Sequence, residues 1–167
     1  DEFEHLVQTT KPEAFLSLRA LRHQTLQQTH ELLRFIGFDP QGKKCLDIGP
    51  GHGESLDVWH QMGAADCAFV DNDPWFVQHN RLKRFAHGWN LDHLVSIQRL
   101  PKAQFDFIWV YGSISCHQRY FRALGRIGLF SWMTRLESIT APVVTIVISP
   151  YWLCRHQKRL VERPAQH

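Results

Sequence analysis

The apolar run Cys45-Leu46-Asp47-Ile48 passes directly into Gly49-Pro50-Gly51-His52-Gly53-Glu54. A short apolar run bounded by glycine reads as a buried strand, and three glycines at alternate positions make a tight turn at its end. Without a Cβ, the chain there can reach positive φ and come close to a ligand. The helix after the turn offers backbone N–H groups, unpartnered within the helix, to whatever lies over it. A strand–turn–helix of this kind belongs to a sheet of parallel strands joined by crossover helices, so one stretch constrains the class of the whole chain. Taken alone, the turn either holds a ligand or only connects strand to helix.

The remainder of the chain alternates in the same way. Residues 1–40 are helical in character: Leu16, Leu18, Leu21, Leu26, Leu32, Leu33 and Phe35 recur at near-helical spacing, and Gly37 with Pro40 stops the last turn. The reading is two helices forming a cap over 1–40, followed by an α/β domain over 41–167, the two packed as one compact unit. The first strand covers 43–49. A helix over 54–62 has Leu56, Trp59 and Met62 as its apolar stripe and is closed by Gly63. The second strand, 67–70, ends on Asp71-Asn72-Asp73-Pro74, where Asp73 suits an N-cap and Pro74 the first helical turn. That helix is expected to reach His87 with Trp75, Phe76, Leu82 and Phe85 inward, ended by Gly88. A third strand is placed at 94–98, a fourth at 105–112, and a helical stretch at 117–139, bent near Gly125 and Gly128. Val143 to Ile148 is a continuous apolar run, which implies a strand buried on both faces. A last helix covers 152–161. The sum is a doubly wound, mostly parallel sheet of about five strands with helices on both faces, preceded by N-terminal helices.

The glycine spacing narrows the ligand. A dinucleotide fingerprint, G-x-G-x-x-G, would need glycine at position 54, which is Glu54; the third glycine arrives one residue early, at Gly53. Glu54 would repel a pyrophosphate but not a cationic ligand end. Asp71 directly succeeds the second apolar run, 20 residues beyond Gly51, where nucleoside sites place an acid to accept from ribose hydroxyls. Strand-acid-x-Gly-x-Gly-x-Gly together with Asp71 resembles the first two motifs of the class I S-adenosylmethionine (SAM)-dependent methyltransferases. The resemblance covers about residues 40–150, specific in these two motifs and generic beyond them.

The resemblance implies SAM as cofactor, lying over Asp47, Gly49, Pro50, Gly51, His52 and Gly53, with its ribose on Asp71 and Asn72 alongside. In the family, the acid matching Asp47 sits near the methionine end of SAM. A charge inside a strand is costly unless paired or hydrogen-bonded, so Asp47 serves either that end of the ligand or the glycine loop itself. One family feature is missing: the acid after the third strand that reads the adenine amino group. With that strand at 94–98, Gln98 stands there instead, and its amide can both donate and accept. Asp106 resembles the acid that opens the fourth strand, a structural position.

Ligands sit at the carboxyl ends of such strands, so Tyr111-Gly112-Ser113-Ile114-Ser115-Cys116-His117 faces the methyl group in this reading. His117 is the candidate base, with an unperturbed pKa of about 6.5 that leaves it mostly neutral near pH 7; the alternative is a surface histidine opening a helix. Tyr111 is the second catalytic candidate, or a pocket wall. Ser149-Pro150-Tyr151-Trp152 faintly resembles a motif of amino-methyltransferases acting on DNA bases. It lacks the second proline and stands after the wrong strand, so it reads as pocket wall or strand exit.

Composition bounds the remaining classes. The 167 residues carry a net charge of +3, too mild to demand an anionic partner. Basic residues do cluster at Arg81 to Arg84 and at Arg155, Lys158, Arg159 and Arg163. A small-molecule or sugar-like acceptor, methylated on O or N, is therefore the first expectation, and RNA the second. A non-catalytic SAM-binding subunit is the rival from another class. The four cysteines form no C-x-x-C pair and the eleven histidines show no ligand spacing, so no metal is expected, and a reduced, cytoplasmic setting fits. No stretch approaches the roughly 18 uninterrupted apolar residues of a membrane span. The family core adds a hairpin after the fifth strand, whereas residues 153–167 look helical. Either a helix, a second copy or a partner subunit covers the edge of the fifth strand, or the chain is a fragment of a longer protein.

Overall fold

The computed structural model describes residues 12–92, 96–102, 104–110 and 131–148. Five strands, β1 (Lys44–Ile48), β2 (Asp66–Asp71), β3 (Gly88–Asn90), β4 (Phe105–Val110) and β5 (Thr140–Ile148), form one sheet in the order β3-β2-β1-β4-β5. Every pairing is parallel. The chain winds outward from β1 to β3, then returns to the other side of β1 for β4 and β5. The switch point therefore lies between β1 and β4, and the crevice at their carboxyl ends is where such a sheet takes a ligand.

Alternation along β1 divides the core. Cys45 faces a cluster with Phe69, Phe107 and Trp109, covered by α1 (Pro12–Ile36), α2 (Glu54–Gln61) and α3 (Pro74–Lys83) through Leu33, Leu56, Trp59 and Val77. Leu46 and Ile48 face the opposite cluster with Ala68, Val70, Ile108 and Val110, covered by Trp132 and Leu136 of the helical segment 131–137 and by Ile97. Trp59 is fully buried, edge-on to Phe107 at 5.5 Å and to Trp109 at 6.1 Å. Burial of a large apolar side chain of this kind contributes about 1.5–3 kcal/mol. Helices on both faces of a five-stranded parallel sheet are the architecture expected from the sequence. Among the described residues, no helix is long and apolar enough to cross a membrane.

Helix ends are set by local chemistry. Gly37, at φ 67°, donates to the Arg34 carbonyl at 3.2 Å while Phe38 N–H reaches back to Leu33 O at 3.0 Å, a Schellman closure of α1. Asp73 caps α3 by accepting from Trp75 N–H at 2.8 Å, with Pro74 in the first turn, as expected. Asp106 accepts from Lys44 N–H at 2.9 Å and so ties the start of β4 to that of β1, a structural part as expected.

Several expectations are corrected. Of the two helices expected over 1–40, the described residues hold one, Pro12–Ile36, and residues 1–11 lie outside them; Phe35 on it is 87% exposed while Leu33 is buried. α3 ends at Lys83, not His87, because the N–H groups of Arg84 and Phe85 both turn back to the Asn80 carbonyl, carrying Phe85 into the core. Its inward side chains are Val77 and Asn80, and Trp75 and Leu82 face outward. The third strand is Gly88–Asn90, not 94–98; Ile97–Arg99 is a single 3₁₀ turn. Gly88, read as a helix stop, is a strand residue under the Phe69 ring, where an added Cβ would stand 2.0 Å from Phe69 Cζ. β5 starts at Thr140, with a register shift against β4 between Phe105 and Phe107, across the stretch holding Pro142, which has no N–H to give the ladder. The bends at Gly125 and Gly128 and the helix at 152–161 lie outside the described residues.

Candidate functional site

The turn between β1 and α2 is built by the chain on both sides of it. Gly49, Gly51 and Gly53 have φ of 76°, 56° and 78°. Gly49 N–H donates to Val70 O at 2.8 Å, stitching the turn to β2, and Gly53 N–H closes it on Pro50 O at 3.0 Å. From α3, the fully buried Asn80 donates its amide to Gly51 O at 2.8 Å and Phe76 O at 3.0 Å. Lys83 donates to His52 O at 2.8 Å and to Asp57 Oδ2 at 2.5 Å, spanning α3, the turn and α2. The glycines serve different ends. A Cβ on Gly53 would lie 2.1 Å from Asn80 Oδ1, so that glycine is required by the protein's own packing. A Cβ on Gly51 would meet nothing within 4 Å, so the turn is open there.

Two buried acids flank that opening. Asp71, 6% exposed at the end of β2, accepts from Asp73 N–H at 2.9 Å, and the Gly51 and Asn72 N–H groups also lower its pKa by hydrogen bonding. Burial is the stronger influence and raises the pKa overall. Asp47, 2% exposed, lies in register between Phe69 of β2 and Trp109 of β4. The Ser55 hydroxyl of α2 donates to its Oδ2, and its Oδ1 has no hydrogen-bond partner among the described residues. Burial first, and then the charges of Asp71 and Glu54, push the Asp47 carboxyl up to about 8 against the help of Ser55. Glu54, at the start of α2, is itself buried and pairs with Arg22 Nε of α1 at 2.9 Å.

The other residues singled out in the sequence differ in where they lie. Pro50 and His52 are half-buried in the turn. The His52 ring lies edge-on to Trp75, Phe76 and His79 of α3 at 5.3–5.7 Å, while Trp75 stacks on His79 at 5.0 Å. Burial, then the nearby cationic groups His52, Lys83 and Arg22, lowers the His79 pKa and favours its neutral form. Asn72 is exposed at the carboxyl end of β2. Gln98 is exposed on the 3₁₀ turn and does not directly succeed the third strand. Because β3 is Gly88–Asn90, the acid just beyond it is Asp92, exposed two residues on, with Leu91 N–H fixed to Asp71 O at 3.1 Å between them. Sequence pattern hides Asp92, because the apolar run beginning at Leu94 is more strand-like than the true strand before it. Asn80 and Lys83 are hidden too, since a polar residue in a helix carries no sequence mark of the loop it will meet. Tyr111, His117, Tyr151 and Trp152 lie outside the described residues. No group of three or more metal-ligating side chains occurs among the described residues.

No protein-family model matches the sequence, and no curated protein does. Solved structures do match. A SAM-dependent methyltransferase from Archaeoglobus fulgidus superposes with a TM-score of 0.59 at 21% identity, over 87% of this chain and 63% of that one. DesVI of Streptomyces venezuelae gives 0.63 at 16% identity, over 82% and 56%. A SAM-dependent methyltransferase from Aquifex aeolicus gives 0.53 at 19% identity, over 72% and 62%. The chain thus spans between half and two-thirds of the length of these proteins, and what they share with it is the fold.

Proposed function

We propose, from a fold shared with class I SAM-dependent methyltransferases, that this chain binds SAM over Gly49–Gly53 and transfers its methyl group to an O or N atom of a small-molecule or sugar-like acceptor. The observation that carries the reading is the open side of Gly51 at the switch point of the sheet, flanked by the buried acids Asp47 and Asp71. Ribose hydroxyls are donors, and Asp71 is an acceptor anchored by backbone N–H groups. The ammonium group of the amino acid end suits Asp47 and Glu54. Phosphates do not suit the turn, because Glu54 and Asp57 occupy the first turn of α2, where an anion would otherwise be favoured. Asp92, rather than Gln98, is the acid on the adenine side of this arrangement.

When bound, SAM supplies an electrophilic methyl group on a sulfonium. The chain's contribution is to hold it: Asn80 and Lys83 fix the turn, Asp71 and Asp47 orient the two ends, and the aromatic core around Trp109 backs the site. Orienting reactants in line can supply on the order of 7–11 kcal/mol in favourable cases. His117 as base and Tyr111 as a second candidate are the proposed residues on the acceptor side. Calorimetric titration with SAM and with S-adenosylhomocysteine is the test. Both should bind, and failure of both ends the reading. Turnover against small-molecule acceptors supports the first acceptor class. Turnover on RNA, with binding that falls steeply with salt, would replace it with the second. Binding without turnover on either would leave a SAM-binding module.

A further inference from the structure

The Asp47 carboxyl is enclosed on every described side yet incompletely used. Its strand neighbours Phe69 and Trp109 bring no charge. Asp71 from β2 and Glu54 from α2 face it with like charge, and the Arg22 guanidinium of α1 is paired to Glu54. Ser55 donates to one oxygen, and the other is buried without a hydrogen-bond partner among the described residues. A lone carboxylate in such a place is strongly disfavoured, whereas a carboxyl with its proton is tolerable. The same place becomes suitable for a carboxylate once a cation stands against the orphaned oxygen.

Resting on the SAM reading, we propose that Asp47 holds a proton in the free protein and exchanges it for the ligand's ammonium group on binding. The O–H bond of the Asp47 carboxyl breaks, the proton passes to solvent, and the carboxylate left behind pairs with the incoming ammonium. At the Asp47 carboxyl one positive charge replaces another: a proton leaves as the ammonium arrives. Binding of the amino-acid-bearing ligand is therefore linked to pH, and binding of an adenosine lacking the amino acid is not.

The experiment titrates the whole chain with S-adenosylhomocysteine and, separately, with methylthioadenosine, which keeps the nucleoside and lacks the ammonium. Calorimetry in two buffers of different ionisation enthalpy counts the protons released. Below the free-protein pKa of about 8, S-adenosylhomocysteine should release close to one proton. Its affinity should rise with pH at a slope approaching about tenfold per unit, flattening as that pKa is passed. Methylthioadenosine should release none, and Asp47→Asn should flatten the slope for S-adenosylhomocysteine. A wild-type affinity that is flat with pH and free of proton release overturns the exchange while leaving the SAM reading in place. A slope that survives in Asp47→Asn overturns the assignment to Asp47. Failure of both ligands to bind at any pH overturns the exchange together with the reading beneath it.

Discussion

The carboxyl ends of β1 and β2 each present a buried acid to the same opening, and the chain treats them oppositely. Asp71 is surrounded by donors: Gly51, Asn72 and Asp73 direct backbone N–H groups at it. Asp47 receives one hydroxyl and is otherwise enclosed by aromatic side chains and like charge. The difference arises from the way the backbone leaves each strand. After β2 the chain bends at Asn72 and Asp73, ahead of the capped helix, and the amides of these two residues fall back over Asp71. After β1 it departs through glycines whose amides are turned to Val70, to Pro50 and, from Gly51, to Asp71 itself, leaving none for Asp47. An acid anchored by the backbone can organise a loop, and an acid denied that anchoring keeps its capacity for something that arrives later.

The comparison depends on the loop between the two acids, and Gly53→Ala should break it most severely. The new Cβ needs the space of Asn80 Oδ1 and a backbone with φ of 78°. Overpacking and the left-handed backbone together should cost about 3 kcal/mol or more in urea denaturation, and Asn80→Ala in the same chain should recover part of it. Asp71→Ala comes next. It strips the acceptor from three amides, destabilising the fold by roughly 1–3 kcal/mol, and SAM affinity should fall by about tenfold or more. Unchanged affinity would show that Asp71 serves the loop alone.

Asp47→Asn gives the smallest change and one of opposite sign. The folded carboxyl keeps its proton up to about 8, above its ordinary value of 3.8 in an unfolded chain. Its contribution to stability is therefore complete below the lower value and is lost as pH rises through the upper one. Asparagine does not share that loss, so the variant should be the more stable of the two at alkaline pH, seen as a higher melting temperature, with the advantage vanishing near pH 4. A variant that is less stable by the same amount at every pH would show that the Asp47 carboxyl gives up its proton as readily in the folded protein as in the unfolded chain.

Much of this site is legible in the sequence. β1, the glycine turn, α2 and β2 are each a dense apolar run punctuated by glycine, proline or a capping acid, and such signals are local. The residues that escape are those whose role is set from a distance. Leu94 to Gln98 has the composition of a strand, yet the strand is Gly88-Trp89-Asn90, selected by the fit of Gly88 beneath Phe69 and by pairing with β2. Asn80 reads as a solvent-facing residue of a polar helix. It is buried because the Gly51 carbonyl, 29 residues earlier, needs a donor there. Trp75 and Leu82 read as core on composition, but Asn80 and Val77 occupy the face of α3 that meets the sheet.

The fastening of the glycine turn has a kinetic consequence. Its shape is held by Asn80, Lys83 and the Val70 carbonyl, all of them contacts within the chain itself. A ligand that docks on such a turn meets a surface already in its binding form, so no part of its binding energy goes into ordering that segment. Encounter is then governed by diffusion and access, and affinity is expressed in residence time. A protein built this way can trade a spent ligand for a fresh one without refolding the floor on which both rest.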